Sequence, residues 1–259
     1  MPRVFVRPEA VGADRVRFDA DEAHHLGRVL RLRPGAVVDA TDGTGRLYTV
    51  RLVALDVKGA WGTIVARPEP GRESPCAITL AQVILKSDRM SWLVQKATEL
   101  GVTRIVPVET ARVVARPAAG AAARHGRWQR IAREAVKQCG RVVVPAVDRA
   151  RAFAEVTREV AWHDVAWICW EGGGLALDAA AAQAGRPARL LLLVGPEGGF
   201  TSEEVALAEV AGARLVSLGP RTLRAESAGL AVVALCQYLF GDLGGRWSGS
   251  SPAPGPAAR

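Results

Sequence analysis

Cysteine and histidine are scarce in this chain, with four of each among 259 residues. Cys76, Cys139, Cys169 and Cys236 are scattered and form no C-x-x-C pair. That argues against a disulfide framework and against a zinc site of the usual spacing, and it fits a reducing cytoplasm. His24 and His25 are neighbours, so on a helix they point about 100° apart and make a poor metal pair. No metal is expected. No apolar run approaches the roughly 18 residues that a membrane helix requires, and the first ten residues are polar and interrupted by proline, unlike a signal peptide. A cytoplasmic protein with no membrane partner is therefore expected. Neither G-x-G-x-x-G nor G-x-x-x-x-G-K-[ST] occurs, so both common nucleotide fingerprints are missing.

What is present is a globular composition, 49% hydrophobic and 23% charged, with a net charge of +8 that is concentrated in one place. Between Arg104 and Arg151 there are ten arginines and Lys137 against three acids, Glu109, Glu134 and Asp148. This stretch carries the whole excess, and the rest of the chain is balanced. A solvated basic face explains many charge runs, but confinement of the full excess to one segment matches a phosphate-backbone footprint.

The sequence 67–75, with three prolines and no apolar period, reads as a linker between two units. The first, 1–70, shows short strands near 3–6, 15–18, 36–40, 46–55 and 61–66, a Gly/Asp turn at 42–45 and one helix near 21–30. Five short strands in about 70 residues suggest a small closed barrel. The second unit, 76–244, alternates strands near 78–85, 104–108, 142–144, 165–170, 190–194 and 214–217 with helices near 89–100, 124–140, 152–160, 177–184 and 202–211. This is the pattern of an α/β parallel sheet with right-handed crossovers. The 124–140 helix sets Trp128, Ile131, Ala135 and Cys139 on one stripe, and leaves Arg127, Arg130, Arg133 and Lys137 for other faces. A last helix near 227–240 is apolar all round, as expected of a helix covered by the sheet on one side and a second subunit on another. The Gly/Ser/Pro/Ala-rich tail 245–259 reads as disordered.

Two strand-to-helix junctions carry the chemistry. Leu190-Leu191-Leu192-Leu193-Val194 reads as a strand buried on both faces. It runs into Gly195-Pro196-Glu197-Gly198-Gly199-Phe200, and Thr201 and Glu204 then stand at capping-box spacing. Ligands in open α/β sheets bind just beyond strand carboxyl ends, and glycines there let main chain approach a ligand closely. Val216-Ser217 leads similarly into Leu218-Gly219-Pro220-Arg221-Thr222-Leu223-Arg224-Ala225-Glu226-Ser227. By themselves Arg224 and Glu226 could be a local ion pair.

In tandem, the two loops resemble the RsmE family of SPOUT-class 16S rRNA (uracil-N3)-methyltransferases. So do three further segments in the same order: His24-His25-Leu26 through Val29-Leu30-Arg31, Lys96-Ala97-Thr98-Glu99-Leu100-Gly101-Val102, and Gln138-Cys139-Gly140-Arg141 through Pro145. The chain departs from the family pattern at Lys137, where an acid is expected, and at Ser227, where threonine is usual. The resemblance implies a PUA-like N-terminal barrel that binds RNA and a C-terminal α/β trefoil-knot domain. It further implies a homodimer and S-adenosylmethionine held by Glu171, Val194, Gly195, Glu197, Gly198, Gly199, Leu218, Gly219 and Leu223.

The reaction so implied is methyl transfer to N3 of one uridine in 16S rRNA or the small ribosomal subunit. N3 lies on the pairing edge, so the base must be unpaired or turned out of its stack. A deprotonated, enolate-like uracil needs cationic donors near its oxygens. Arg224 and Arg141 are the candidates, with Glu226 orienting an arginine or taking the proton. Arg28, Arg31, Arg33, Arg124, Arg127, Arg130 and Arg133 are the candidate RNA contacts. Two rival classes are a non-catalytic RNA-binding protein that retains the fold, and a dinucleotide-dependent enzyme. The missing glycine fingerprint speaks against the second.

Overall fold

The computed structural model describes residues 1–56, 59–69, 71, 73–86, 88–112 and 120–244. The tail 245–259 lies outside the described residues, as do Pro70 and Arg72 of the linker.

The first unit holds β1 (Arg3–Phe5), β2 (Arg15–Phe18), helix α1 (Ala20–His24), β3 (Val37–Thr41), β4 (Leu47–Asp56) and β5 (Gly59–Ala66). Strand alternation decides its inside: in β2, Val16 and Phe18 are buried while Arg15 and Arg17 face solvent. The sheet order is β1-β3-β4-β5-β2. Its end strands β1 and β2 do not pair among the described residues, so the sheet is a half-barrel and not the closed barrel expected. Asp19 caps α1 by accepting the N–H of Glu22 at 3.0 Å. The chain then widens into a π turn over His25–Val29, so the single helix expected at 21–30 is two segments. Just beyond it Arg31 has φ +54°, the one non-glycine residue with positive φ among the described residues.

The second unit runs β6 (Ala77–Val83), α2 (Arg89–Glu99), β7 (Arg104–Glu109), α3 (Ala121–Cys139), β8 (Ala146–Val147), β9 (Arg151–Ala152), α4 (Phe153–Thr157), β10 (Val165–Cys169), β11 (Leu175–Ala176), α5 (Leu177–Ala184), β12 (Arg189–Val194), α6 (Ser202–Val210), β13 (Arg214–Ser217) and α7 (Ala225–Phe240). Its sheet is parallel throughout, in the order β11-β13-β10-β12-β6-β7-β8, with β9 alongside β7. The apolar run in β12 is buried on both faces. Leu190, Leu192 and Val194 join the core that holds α2 and α7 residues, and Leu191 and Leu193 join the one that holds α4 and α6 residues. Thr201 and Glu204 form a complete capping box at α6. Gly140, at φ +84°, ends α3 in the left-handed conformation that glycine tolerates.

Two expectations change. Residues 142–144 are not a sheet strand of the second unit. Val143 bridges Thr44 of the first unit, the Val144 N–H donates to the Gly43 carbonyl at 2.9 Å, and the Gly45 N–H donates to the Val142 carbonyl at 3.1 Å. The helix expected at 152–160 divides into α4 and a 3-10 turn, Val160–Trp162. In the single chain, Leu235, Tyr238 and Leu239 of α7 are exposed, on the side expected to meet a second subunit.

Candidate active site

Because all strands run the same way, the carboxyl ends of β10, β12 and β13 share one edge, and a cleft opens there. One wall is the segment after β12, with Val194, Gly195, Pro196, Glu197 and Gly199. The opposite wall follows β13, from Ser217 through Leu218 and Gly219 to Leu223. Cys169, Trp170 and Glu171 close the end, and Ala225 and Ala228 of α7 lie behind. Eight of the nine expected cofactor residues therefore line one cleft. Gly198 does not: it turns toward Arg112, whose guanidinium donates to the Gly198 carbonyl.

The backbone calls for glycine at Gly199: its φ of +68° is left-handed, and its nearest neighbour is the Glu171 carboxylate, the end of an exposed side chain. The loop is held from below by Gln82 at the end of β6. The fully buried Gln82 Nε2 donates to the carbonyls of Gly195 at 3.4 Å and Val83 at 3.3 Å. Its Oε1 has no partner among the described residues. From the side, the Ala111 N–H donates to Glu204 Oε1 at 2.9 Å. Burial pushes the Cys169 thiol up to about 12, so this wall offers no thiolate at neutral pH.

The second loop delivers its charged residues to the head of α7. Arg224 is exposed at the N-cap, and its guanidinium has no partner among the described residues. Glu226, in the first turn, has a side chain only 11% exposed, and its Oε2 has no hydrogen-bond partner among the described residues. Beside its other oxygen stands a residue that sequence reasoning passed over. Arg89, the first residue of α2, places Nε 3.7 Å from Glu226 Oε1 and Nη1 3.0 Å from Glu197 Oε1. It spans both loops. Its signal was position alone: it follows the carboxyl end of β6 as the two loops follow β12 and β13, but no glycine-rich stretch marks it.

Arg141 is not brought to this cleft within the chain. Its Nη1 donates to the carbonyls of Thr98 at 2.8 Å and Val102 at 3.0 Å, and Nε and Nη2 donate to Glu73 Oε2 at 2.9 and 2.7 Å. Thr98 and Val102 precede β7, so Arg141 sits at the amino ends of the parallel strands, across the sheet from the cleft. Its place in the motif indicated proximity to the chemistry; its hydrogen bonds put it at the junction of the two units.

Of the expected RNA contacts, Arg28, Arg31 and Arg33 are exposed on the first unit, and Arg127, Arg130 and Arg133 on α3, while Arg124 is half-buried. Arg127 pairs with Asp88 at 2.8 Å, and Arg133 lies over the Phe5 ring at 5.0 Å. The Arg127–Asp88 pair is exposed and weak, and Arg133 keeps its exposed guanidinium over a ring that is itself buried. Among the described residues, no group of three or more His, Cys, Asp or Glu is arranged to hold a metal, and no helix is long and apolar enough to cross a membrane.

Two known domain families match the chain. Residues 72–237 match the RNA methyltransferase domain family, and residues 18–65 the RNA methyltransferase PUA domain family. The ribosomal RNA small subunit methyltransferase E of Mycobacterium tuberculosis is 34% identical, over 90% of this chain and 88% of its own length. The Synechocystis protein of the same name is 33% identical, over 91% of this chain and 76% of its own length. A crystal structure of ribosomal RNA small subunit methyltransferase E from Neisseria gonorrhoeae, bound to S-adenosylmethionine, superposes with a TM-score of 0.85 at 36% identity. It covers 93% of this chain and 99% of that one. A Legionella pneumophila methyltransferase in complex with the same cofactor superposes with a TM-score of 0.86 at 30% identity, over 94% and 99% of the two chains.

Proposed function

The chain belongs to the RsmE family of ribosomal RNA small subunit methyltransferases, and from that premise we propose that it methylates N3 of one uridine in 16S rRNA, in the cytoplasm, with S-adenosylmethionine as donor. The observation that carries this reading is the cleft itself. Two Gly-Pro loops face each other across it at the carboxyl edge of the sheet, in a chain whose structural relatives were solved with that cofactor bound.

The lining suits the donor. Leu218, Leu223, Ala225 and Ala228 offer apolar surface to an adenosine, and the glycines of both loops bring main-chain groups close. Glu171 offers negative charge to a cationic ligand, and Glu197 beside it is already paired with Arg89. When bound, S-adenosylmethionine supplies an electrophilic methyl group. Everything else falls to the chain. Arg224, exposed and without a partner among the described residues, is the proposed donor to the oxygens of a uracil as negative charge grows on them. Glu226 beside it either orients an arginine or accepts the N3 proton, and Arg89 balances its charge and ties its helix to the Glu197 loop.

The family's knotted threading and a homodimer belong to the same reading. The exposed stripe of Leu235, Tyr238 and Leu239 on α7 supports the dimer, since contiguous apolar surface of this kind marks an interface. Arg28, Arg31, Arg33, Arg127, Arg130 and Arg133 are proposed as phosphate contacts. The test is transfer of labelled methyl from S-adenosylmethionine to small subunits that lack the modification. Label in 3-methyluridine at a single position is expected from the wild type. None is expected from Arg224→Ala or Glu226→Ala, with cofactor binding largely kept. Full turnover by both variants would overturn the assignment, and cofactor binding without any turnover by the wild type would favour a non-catalytic RNA-binding protein.

A further inference from the structure

A guanidinium has five N–H groups, and four of Arg141's are engaged: two with Glu73, one each with the Thr98 and Val102 carbonyls. The side chain is only 10% exposed. Glu73 belongs to the linker between β5 and β6, and its other oxygen accepts the Val143 N–H at 3.4 Å. Arg141 therefore ties the linker to the last turn of α2 and to the turn that follows it, while Glu73 holds Val143 of the next segment.

That segment is the seam between the units. Thr41 Oγ1 donates to the Val142 carbonyl at 3.1 Å, and Arg3 donates to the carbonyls of Gly140 and Arg141. Lys137 pairs with Glu22 at 2.5 Å. Gly43, at φ +77°, comes so close that a Cβ would lie 3.0 Å from Val144. The proposed phosphate contacts lie on both units, Arg28, Arg31 and Arg33 on the half-barrel and Arg127, Arg130 and Arg133 on α3, all exposed. Their spacing is set by how the seam is held.

We propose that Arg141 is an interdomain positioning residue. By clamping Glu73 against residues 140–145, it fixes the half-barrel relative to the cleft, so that RNA gripped across both units presents its uridine at the pocket. This rests on the reading above that the chain methylates RNA. A loosened seam makes RNA binding bear the cost of ordering it, equally in the ground and transition states. The loss then appears in KM for RNA and not in kcat.

The test compares wild type, Arg141→Gln, Arg141→Lys and Glu73→Gln as full chains. KM for small-subunit RNA is expected to rise on the order of tenfold in the two glutamine variants, with kcat nearly kept, and S-adenosylmethionine affinity is expected to be unchanged. Lysine should not rescue, because a point charge cannot reproduce the fork. Spin labels at Val53→Cys and Val210→Cys, both exposed and on different units, should show a broader distance distribution in the glutamine variants. That readout needs no activity and no RNA. A collapse in kcat with KM and the label distance unchanged would make Arg141 catalytic and overturn the proposal, as would unchanged KM in Glu73→Gln. If Arg141→Gln does not fold, Glu73→Gln, which leaves both carbonyl contacts in place, decides. A wild type that binds no cofactor and transfers no methyl would sink the functional reading, and the label distances would still judge the clamp.

Discussion

Arg89 joins the two loops of the cleft, with Nη1 3.0 Å from Glu197 Oε1 and Nε 3.7 Å from Glu226 Oε1. Glu197 follows β12 and Glu226 opens α7, so one guanidinium at the head of α2 touches residues that are 29 positions apart in the chain. Glu226 is nearly buried, and no other cation is paired with it among the described residues.

Removal of Arg89 leaves that carboxylate without its partner. Hydrogen bonds and pairs to charged groups contribute roughly 1.5–3 kcal/mol, and Arg89's own exposure of 43% calls for a discount. We expect Arg89→Ala to cost about 1–2 kcal/mol of transition-state stabilisation, roughly tenfold in kcat/KM, with Arg89→Lys recovering part. Single-turnover methylation, with cofactor titration alongside, checks it; unchanged turnover in Arg89→Ala would remove Arg89 from the site.

Gly199→Ala tests the loop. The substitution forces a side chain onto backbone at φ +68°, a strain of about 1–3 kcal/mol. Cofactor affinity measured by calorimetry should weaken by at least tenfold, while Gly71→Ala, where no atom lies nearby, should leave it unchanged.

RNA binding should fall steeply with salt, because each neutralised phosphate releases counterions. Arg130, exposed and free of partners among the described residues, is the cleanest probe. Arg130→Gln should lower the slope of log affinity against log salt by about one. An unaltered slope would take α3 out of the RNA footprint.

Acid stability should depend on Glu159. Burial pushes its carboxyl up, but hydrogen bonds from Arg104 and Arg151 outweigh burial and hold it below its ordinary value. A carboxylate depressed in the folded state adds stability that is fully present above its unfolded value of about 4.3 and is lost as pH falls below it. Denaturant melts should show stability dropping below about pH 5 in the wild type, and a shallower drop in Glu159→Gln.

Much of the fold was legible because it rests on local pattern. The helix at 177–184 and the strand at 214–217 coincide with α5 and β13. Thr201 and Glu204 made the α6 start readable from two residues. What was not legible depends on partners distant in the chain. Val142-Val143-Val144 has strand composition, but its hydrogen bonds go to Gly43 and Gly45 of the other unit, and no sequence period shows that. Arg141 was placed by motif, and a motif does not say which carbonyls an arginine reaches. Arg89 carries no glycine signature, so only the parallel order of β6, β12 and β13 reveals that it belongs with the two loops. The apolar circumference of α7 gave no means of telling its covered faces from its exposed stripe.

The most direct test of the function is mass spectrometry of small-subunit RNA from a strain that lacks this protein. We expect 3-methyluridine to vanish from one position of 16S rRNA and to return when the wild-type chain is restored, but not Arg224→Ala. Retention of 3-methyluridine at every position in the deletion strain would contradict the assignment.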